Sequence, residues 1–294
     1  MENRFGGIKE KGRDIYLLRA TEVAVEKGKR MIREHRHSRF EIVHFRSGKG
    51  IYVVNGKNYS IKSGDVFVFS SNEQHCITEI YEPLEFVNIH FEPRFFWGSS
   101  LESFSNADMF FNHSKSFCCR LKRDNEETEK IISLIEGIFD ELTTQKPEFK
   151  MMARSLLTDI IIILIRKFGY NDISENSKKN LSSVKAVKGA MDYIYRHLTE
   201  QITLDDIAKN VGMSRSHFST VFKATLGVTL WDYICEKRIE LVMRKLEENT
   251  DKSMLDIALE CGFNNTANFN KAFKKQTGRT PREYKIHGNA YIYE

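Results

Sequence analysis

Between Arg30 and Phe96 apolar and polar residues alternate with a period of two, interrupted by turn residues, which is the pattern of strands. In "IYVVNGKNYSI" the Asn55-Gly56 pair suits the two positive φ angles of a type I′ turn, so the flanking runs are expected to form a hairpin. "IKSGDVFVF" turns at Ser63-Gly64 into another apolar strand, and "LEFVNIHFE" supplies one more. Short strands this close together predict a small barrel or sandwich. From Asp124 the period becomes helical: "NEETEKIISLIEGIFDEL" and, past Pro147, "EFKMMARSLLTDIIIILIRKF" predict two helices joined by a turn. "GYNDISENSKKNLSS" is polar and aperiodic and reads as a linker, and the chain beyond it is helical in pattern.

That last part contains a repeat. "DIAKNVGMSRSHFSTVFKATLGVTLWDY", from Asp206, returns as "DIALECGFNNTANFNKAFKKQTGRTPREY", from Asp256, with one extra residue in the turn of the second copy. Each copy is expected to open with a capping box, Thr203 with Asp206 and Ser253 with Asp256. A short helix follows, carrying Ala208 or Ala258 where a second helix can approach. Gly212 or Gly262 supplies a left-handed turn, and Ser214 or Asn264 caps the next helix. This is a helix-turn-helix written twice. Phe218 with Phe222, and Phe269 with Phe273, lie four apart and define the buried side of each second helix. Ser216, Ser219, Thr220 and Lys223 are then expected to face outward in the first copy, and Thr266, Ala267, Asn270, Lys271 and Lys274 in the second, with Arg215 and Asn265 at the helix starts near enough to assist. Such side chains read base edges and phosphates in a major groove. "TLWDYICEKRIELVMRKLEE" joins the copies without Gly or Pro, and its expected 18 to 20 helical residues span roughly 27 to 30 Å. It reads as a ruler holding two reading heads near the ~34 Å spacing of successive major-groove faces.

Composition narrows the setting. The chain has 294 residues, 41% of them hydrophobic and 29% charged, enough for two domains each with its own core. Net charge is +5, with 17 basic against 14 acidic side chains beyond Asn180, so charge alone does not indicate nucleic acid. The most apolar run, Leu156 to Phe168, is interrupted by Asp159, Arg166 and Lys167 and is too short for a membrane span. The charged N-terminus does not resemble a signal peptide, and a cytoplasmic location is expected. Cys76, Cys118, Cys119, Cys235 and Cys261 lack metal-ligand spacing and read as unpaired thiols.

The C-terminal motifs resemble those of the AraC (arabinose-operon regulator) family of transcription factors. The resemblance rests on "LDDIAKNVGMSRSHFSTVFKATLG", on Arg238, and above all on "IALECGFNNTANFNKAFKKQTGRTPREY", and covers about residues 184 to 286. Leu230 departs from Pro281 of the second copy, and Val242 stands where the family usually has Ala. In the N-terminal half, His35, His37 and Glu41 fall on one strand face by parity, Gly48 follows, and His75 comes after "GDVFVFSSNEQ". This spacing resembles the cupin barrel, although Ser70, Ser71 and Asn72 replace its usual Pro-x-Gly turn. A metal-dependent cupin enzyme is the rival reading.

The resemblance implies an α+β protein: a cupin-like sensor barrel at 1–122, a helical dimerisation element at 123–170, a linker at 171–183 and a DNA-binding domain at 184–287. It implies a DNA-binding regulator, an activator rather than a repressor, controlled by a small molecule such as a sugar or carbohydrate derivative. The polar residues His35, His37, Glu41 and His75 would line the effector pocket. The expected partners are double-stranded DNA, the effector, RNA polymerase and a second copy of the chain. No cofactor, bound metal or catalytic residue is expected.

Overall fold

The computed structural model describes residues 4–9, 16–28, 38–70, 73–96, 113–114, 116–170, 177–247 and 252–287. They form two compact units, Met1–Ser177 and Lys178–Glu294.

The first unit is built on six antiparallel strands: β1 (Phe5–Lys9), β2 (Tyr16–Val25), β3 (Phe40–Val54), β4 (Lys57–Ile61), β5 (Val66–Phe69) and β6 (His75–Phe91). They pair in the order β1-β2-β6-β3-β4, with β5 also on β3. Asn55 and Gly56 form the expected two-residue hairpin loop, with φ of 48° and 77°. β1 and β2 precede the stretch that the alternating pattern marks. The segments that read as separate strands are parts of two long ones, β3 and β6, which pair along most of their length with register shifts around Ser47, Lys49 and Gly50. Gly48 makes that bend possible: its φ is +97°, and a Cβ there would sit 2.2 Å from the Pro83 carbonyl oxygen.

Both faces of the sheet are covered. One carries Leu18, Ala20, Phe40, Ile42, Val66, Val68, Val87, Ile89 and Phe91, all buried in one core with helices α1 (Glu126–Thr144) and α2 (Phe149–Phe168). Asn125 caps α1 by accepting from the amides of Glu127 and Thr128. The helices supply Ile131, Ile135, Ile138, Leu142, Leu157, Ile160, Ile161 and Leu164, so the Ile-rich faces are spent on the sheet. The strongly exposed apolar side chains of α2 are Met151 and Met152, at 70% and 50%. The opposite sheet face carries Val43, Phe45, Phe67, Phe69 and Phe86 around Tyr52, and there the polar residues of the candidate site lie.

The second unit is helical: α3 (Ser177–Arg196), α4 (Leu204–Asn210), α5 (Arg215–Leu226), α6 (Leu230–Glu247), α7 (Met254–Glu260), α8 (Thr266–Thr277) and α9 (Pro281–His287). α3 begins at Ser177, inside the stretch that reads as a linker. Tyr195, Phe222 and Tyr233 are fully buried or nearly so, and the Tyr233 ring meets those of Phe222 and Tyr195 at 5.7 and 6.4 Å. Burying residues of this size stabilises the unit by about 1.5 to 3 kcal/mol each.

Candidate nucleic-acid interface and buried polar cluster

The repeat is laid out in the helices with the offset seen in the sequence: α4 to α7 is a shift of 50 positions, and α5 to α8 a shift of 51. Thr203 forms a full capping box, its hydroxyl accepting from the Asp206 amide and the Asp206 carboxylate accepting from the Thr203 amide. Ser253 accepts from the Asp256 amide at 3.1 Å and donates to its carboxylate at 2.6 Å. Gly212 and Gly262 make the turns with φ of 68° and 89°. Ser214 caps α5. The cap of α8 is Asn265 and not Asn264, because the extra residue of the second turn moves the helix start by one position. The side-chain oxygen of Asn265, Oδ1, is thereby committed to the amides of Ala267 and Asn268, at 2.8 and 3.1 Å.

Phe218 and Phe222 of α5, and Phe269 and Phe273 of α8, are buried as their spacing predicts. Arg215, Ser216, Ser219, Thr220 and Lys223 are exposed on α5, as are Thr266, Ala267, Asn270, Lys271 and Lys274 on α8, and Asn265 at its cap. Arg215 is held 3.2 Å from Asp205, and Thr220 donates back to the Ser216 carbonyl, which leaves its oxygen lone pairs outward. Beside α8 lies a groove of about 670 Å³ lined by Met254, Asn270, Lys271, Lys274, Thr280, Pro281 and Arg282. Arg282 does not stand out in the sequence because it lies past the second reading helix. α6 braces the second head: Lys275 of α8 is bonded to Asp232 at 2.8 Å, and Lys245 and Lys252 both reach Glu260, whose pKa their hydrogen bonds pull down to about 2.

In the first unit, His35 and His37 lie outside the described residues. Glu41 and His75 meet: Oε2 of Glu41 is 2.9 Å from Nε2 of His75, both side chains fully enclosed. Two further residues join them. Asn88 Nδ2 donates to Oε1 of Glu41 at 2.6 Å, and His90 Nε2 stands 3.5 Å from Oε2. Register explains this, since His90 pairs with Glu41 and Asn88 with Val43, while Thr21 of β2 pairs with Asn88. The Thr21 hydroxyl and Oδ1 of Asn88 are buried with no hydrogen-bond partner among the described residues. Phe69 stacks on the His75 ring at 4.2 Å. No group of three or more side chains suited to holding a metal ion occurs among the described residues.

A second polar cluster adjoins the first. The Glu73 carbonyl stands 2.9 Å from Nδ1 of His75, and the Glu73 carboxylate accepts from the Ser70 amide and stands 3.1 Å from Nε2 of His113. Ser114 then donates its amide to the carbonyl of Tyr170, a fully buried residue just past α2. Burial alone would pull the His113 pKa down, but the Glu73 carboxylate raises it overall.

Comparison with known proteins gives two family matches, an AraC-like ligand binding domain over residues 23–161 and a helix-turn-helix domain over 207–286. The Msm operon regulatory protein of Streptococcus mutans is 24% identical over 246 residues, covering 83% of each chain. The HTH-type transcriptional activator RhaR of Mannheimia succiniciproducens is 23% identical over 252 residues, covering 85% of this chain and 86% of its own. An HTH-type regulator of Staphylococcus aureus is 28% identical over 180 residues, which are only 24% of its length. Among solved structures, ToxT of Vibrio cholerae superposes with a TM-score of 0.61 at 13% identity, over 92% of this chain and 98% of its own.

Proposed function

The chain belongs to the AraC-family transcription factors, with an AraC-like ligand-binding domain and a helix-turn-helix domain that binds DNA, and from that premise we propose that α5 and α8 are its two reading helices and that they engage successive major grooves. The observation that carries this reading is the duplicated exposed face: two capped helices of equal length, each with its aromatic pair buried and its polar side chains in solvent. α6, with 18 residues, spans about 27 Å. That suits heads set one duplex turn apart, ~34 Å. Ser216, Ser219 and Thr220 are short, so the first head contributes positioning and shape readout, while in the second Asn270 carries more of the base discrimination and Lys271 contacts phosphate.

The effector is held against the inner sheet face, where Glu41, His75, His90, Asn88 and Thr21 form a buried polar cluster. Buried hydroxyl and amide oxygens without a partner among the described residues favour a ligand that supplies several hydroxyl donors, as a sugar or carbohydrate derivative does. One solved ToxT structure holds an unsaturated fatty acid. The chain is read as a cytoplasmic activator that engages RNA polymerase, and no described helix is long and apolar enough to cross a membrane. A second copy would dock through the outer side of α1 and α2 around Met151 and Met152. The proposed division is a sensor at 1–122, a helical element at 123–170, a connection at 171–183 and a DNA-binding domain at 184–287. The relatives that span the chain are transcription regulators, and the enzyme reading finds no support in them.

Mobility shift with DNA selected by the full-length protein tests the assignment. Asn270→Ala with Lys271→Ala is expected to lower affinity at least tenfold and flatten sequence preference, a loss of about 1.4 kcal/mol or more. Unchanged affinity and preference would reject it. A thermal-shift panel of neutral sugars and of fatty acids tests the effector class, since a ligand of the folded state raises its stability.

A further inference from the structure

Arg238 lies within α6, and its side chain reaches two separate parts of the helical unit. Nε donates to the carbonyl of Leu198 at 2.9 Å, and Nη2 donates to the carbonyl of Glu200 at 2.7 Å. Both acceptors belong to the segment that leaves α3 and leads to Thr203, the cap that starts the first head. The same guanidinium sits 6.0 Å from the ring of Phe263. It also covers Gly262: a Cβ at that glycine would lie 2.9 Å from Nε of Arg238 and 2.7 Å from the Leu198 carbonyl oxygen. Gly262 and Phe263 form the turn of the second head, and the Phe263 ring packs on Phe269, the inner residue of the reading helix α8, at 5.3 Å.

We propose that Arg238 is a positioning residue of the DNA-binding domain, locking the turn of the second reading head against the approach to the first and so fixing the spacing and angular phase of the two. This rests on the two-headed reading above. The physical argument concerns which side chain can do this. Among the described residues the hydrogen bonds of Arg238 go to backbone carbonyls only, and burial lowers its pKa, so a charge is being kept in a costly place without a carboxylate to offset it. An apolar residue would fill the space at less cost. What it would lack is a rigid planar fork whose donors are fixed relative to one another. Two donors on two carbonyls of one segment set the orientation of the guanidinium plane, and that plane is the surface on which Gly262 rests. Lysine has three donors on one rotatable ammonium, so even where it met both carbonyls it would supply no fixed plane for Gly262 to rest on. Of the other ties between α6 and the second head, Asp232 with Lys275 and Lys245 with Glu260 are exposed pairs, which hold geometry weakly, and Gln276 donates to the Glu236 carbonyl at a long 3.5 Å.

The consequence is a penalty on operator spacing. Each base pair inserted between the two contact regions rotates the second by about 34° to 36° and moves it by about 3.4 Å. Heads locked in phase cannot follow, whereas loosely joined heads can.

The test uses the full chain. DNA sites are selected from a random library by the wild-type protein, and affinity is measured on the selected site and on versions with two base pairs inserted or removed between the protected regions. Wild type is expected to lose at least about thirtyfold on the altered spacings, and Arg238→Gln no more than about fivefold relative to its own affinity for the selected site. Arg238→Lys is expected to behave like Arg238→Gln. The proposal is overturned if either variant keeps the wild-type spacing penalty, if wild type shows none, or if the variants weaken all spacings alike in step with a lower melting temperature. Circular dichroism checks folding, and if Arg238→Gln does not fold, Arg238→Lys decides alone. Failure of the two-headed reading has a different signature: Asn270→Ala with Lys271→Ala would leave binding to the selected site unchanged.

Discussion

Nε2 of His75 stands 2.9 Å from Oε2 of Glu41, at a point where neither side chain is more than 2% exposed. His75 opens β6, and Asn88, which donates to the other oxygen of the same carboxylate, lies near its far end. One side chain on β3 therefore ties together two distant parts of a strand that bends between them, opposite Gly48. Replacing Glu41 with Leu is expected to destabilise the first unit by about 2 to 5 kcal/mol, because the buried Asn88 amide loses the carboxylate it donates to and His75 loses the one 2.9 Å from its Nε2. Glu41→Gln, which keeps an acceptor oxygen, should cost less. Hydrogen exchange of β3 amides in urea measures the difference, and equal costs for the two variants would contradict the pairing.

The contact between His113 and Glu73 predicts a pH dependence with a definite sign. Burial raises the Glu73 pKa, and the bond and charge of His113 together with the hydrogen bonds from Ser70 more than reverse this, so that the carboxyl is lowered from 4.5 overall. His113 is raised from 6.5, its burial outweighed by Glu73. A raised imidazole contributes stability that is complete below the unfolded pKa and fades as pH climbs through the folded value. A lowered carboxyl contributes stability that is complete above its unfolded pKa and fades as pH falls through the folded value. The pair thus stabilises most between pH 4.5 and 6.5. His113→Gln should remove a downward slope in melting temperature that begins as pH rises above 6.5. Identical slopes for variant and wild type would show that the pair is not formed in solution.

Why some of these residues are readable from sequence and others not has a physical explanation. The repeat is legible because capping, left-handed turns and buried aromatics are local: Thr203, Gly212 and Phe222 carry their roles in their own spacing. Glu41 and His75 stand out because their spacing matches a known pattern. Asn88 and His90 escape notice because the alternation in "FVNIHF" assigns the apolar set to a core and the polar set to water. In the folded chain both faces are covered, and the supposed solvent face is the candidate ligand surface. β1 is hidden for a related reason: "FGGIK" looks too rich in glycine for a strand, yet a Cβ on Gly6 would lie 2.1 Å from the Leu142 carbonyl oxygen of α1. Only the packed structure supplies that constraint. Similarly, the Ile-rich helices carry no label saying whether their partner is a sheet or a second copy, and the sheet takes most of the Ile residues.

On the reading face, Asn270 and Lys271 are neighbours with different chemistry, and the difference is measurable. Lys271→Ala is expected to weaken binding to all sequences about equally and to reduce the slope of log affinity against log salt by about 0.9, the change expected when one phosphate is no longer neutralised. Asn270→Ala should leave the salt slope unchanged and cost about 1 to 3 kcal/mol on the preferred site alone, the range for removing one bidentate pairing with a base. Titrations at several salt concentrations on selected and scrambled DNA separate the two. A salt slope altered equally by both substitutions would mean that Asn270 touches the DNA backbone and not a base.

The two turn glycines offer a comparison within one chain. Gly212 and Gly262 have similar left-handed φ values, 68° and 89°, and alanine at either one meets the same backbone penalty, about 1 to 2 kcal/mol. Their surroundings differ. A Cβ at Gly212 meets nothing within 4 Å, whereas at Gly262 it meets the Leu198 carbonyl oxygen at 2.7 Å and the Arg238 guanidinium at 2.9 Å. Gly212→Ala should therefore cost only the strain, while Gly262→Ala should exceed it by a further 1 to 3 kcal/mol, roughly the cost of overpacking. Urea unfolding of the full chain gives both numbers. The excess should shrink when Gly262→Ala is made in an Arg238→Ala background, since the guanidinium can no longer be struck and only the carbonyl remains. Equal costs at the two glycines would mean that the second turn is as open in solution as the first.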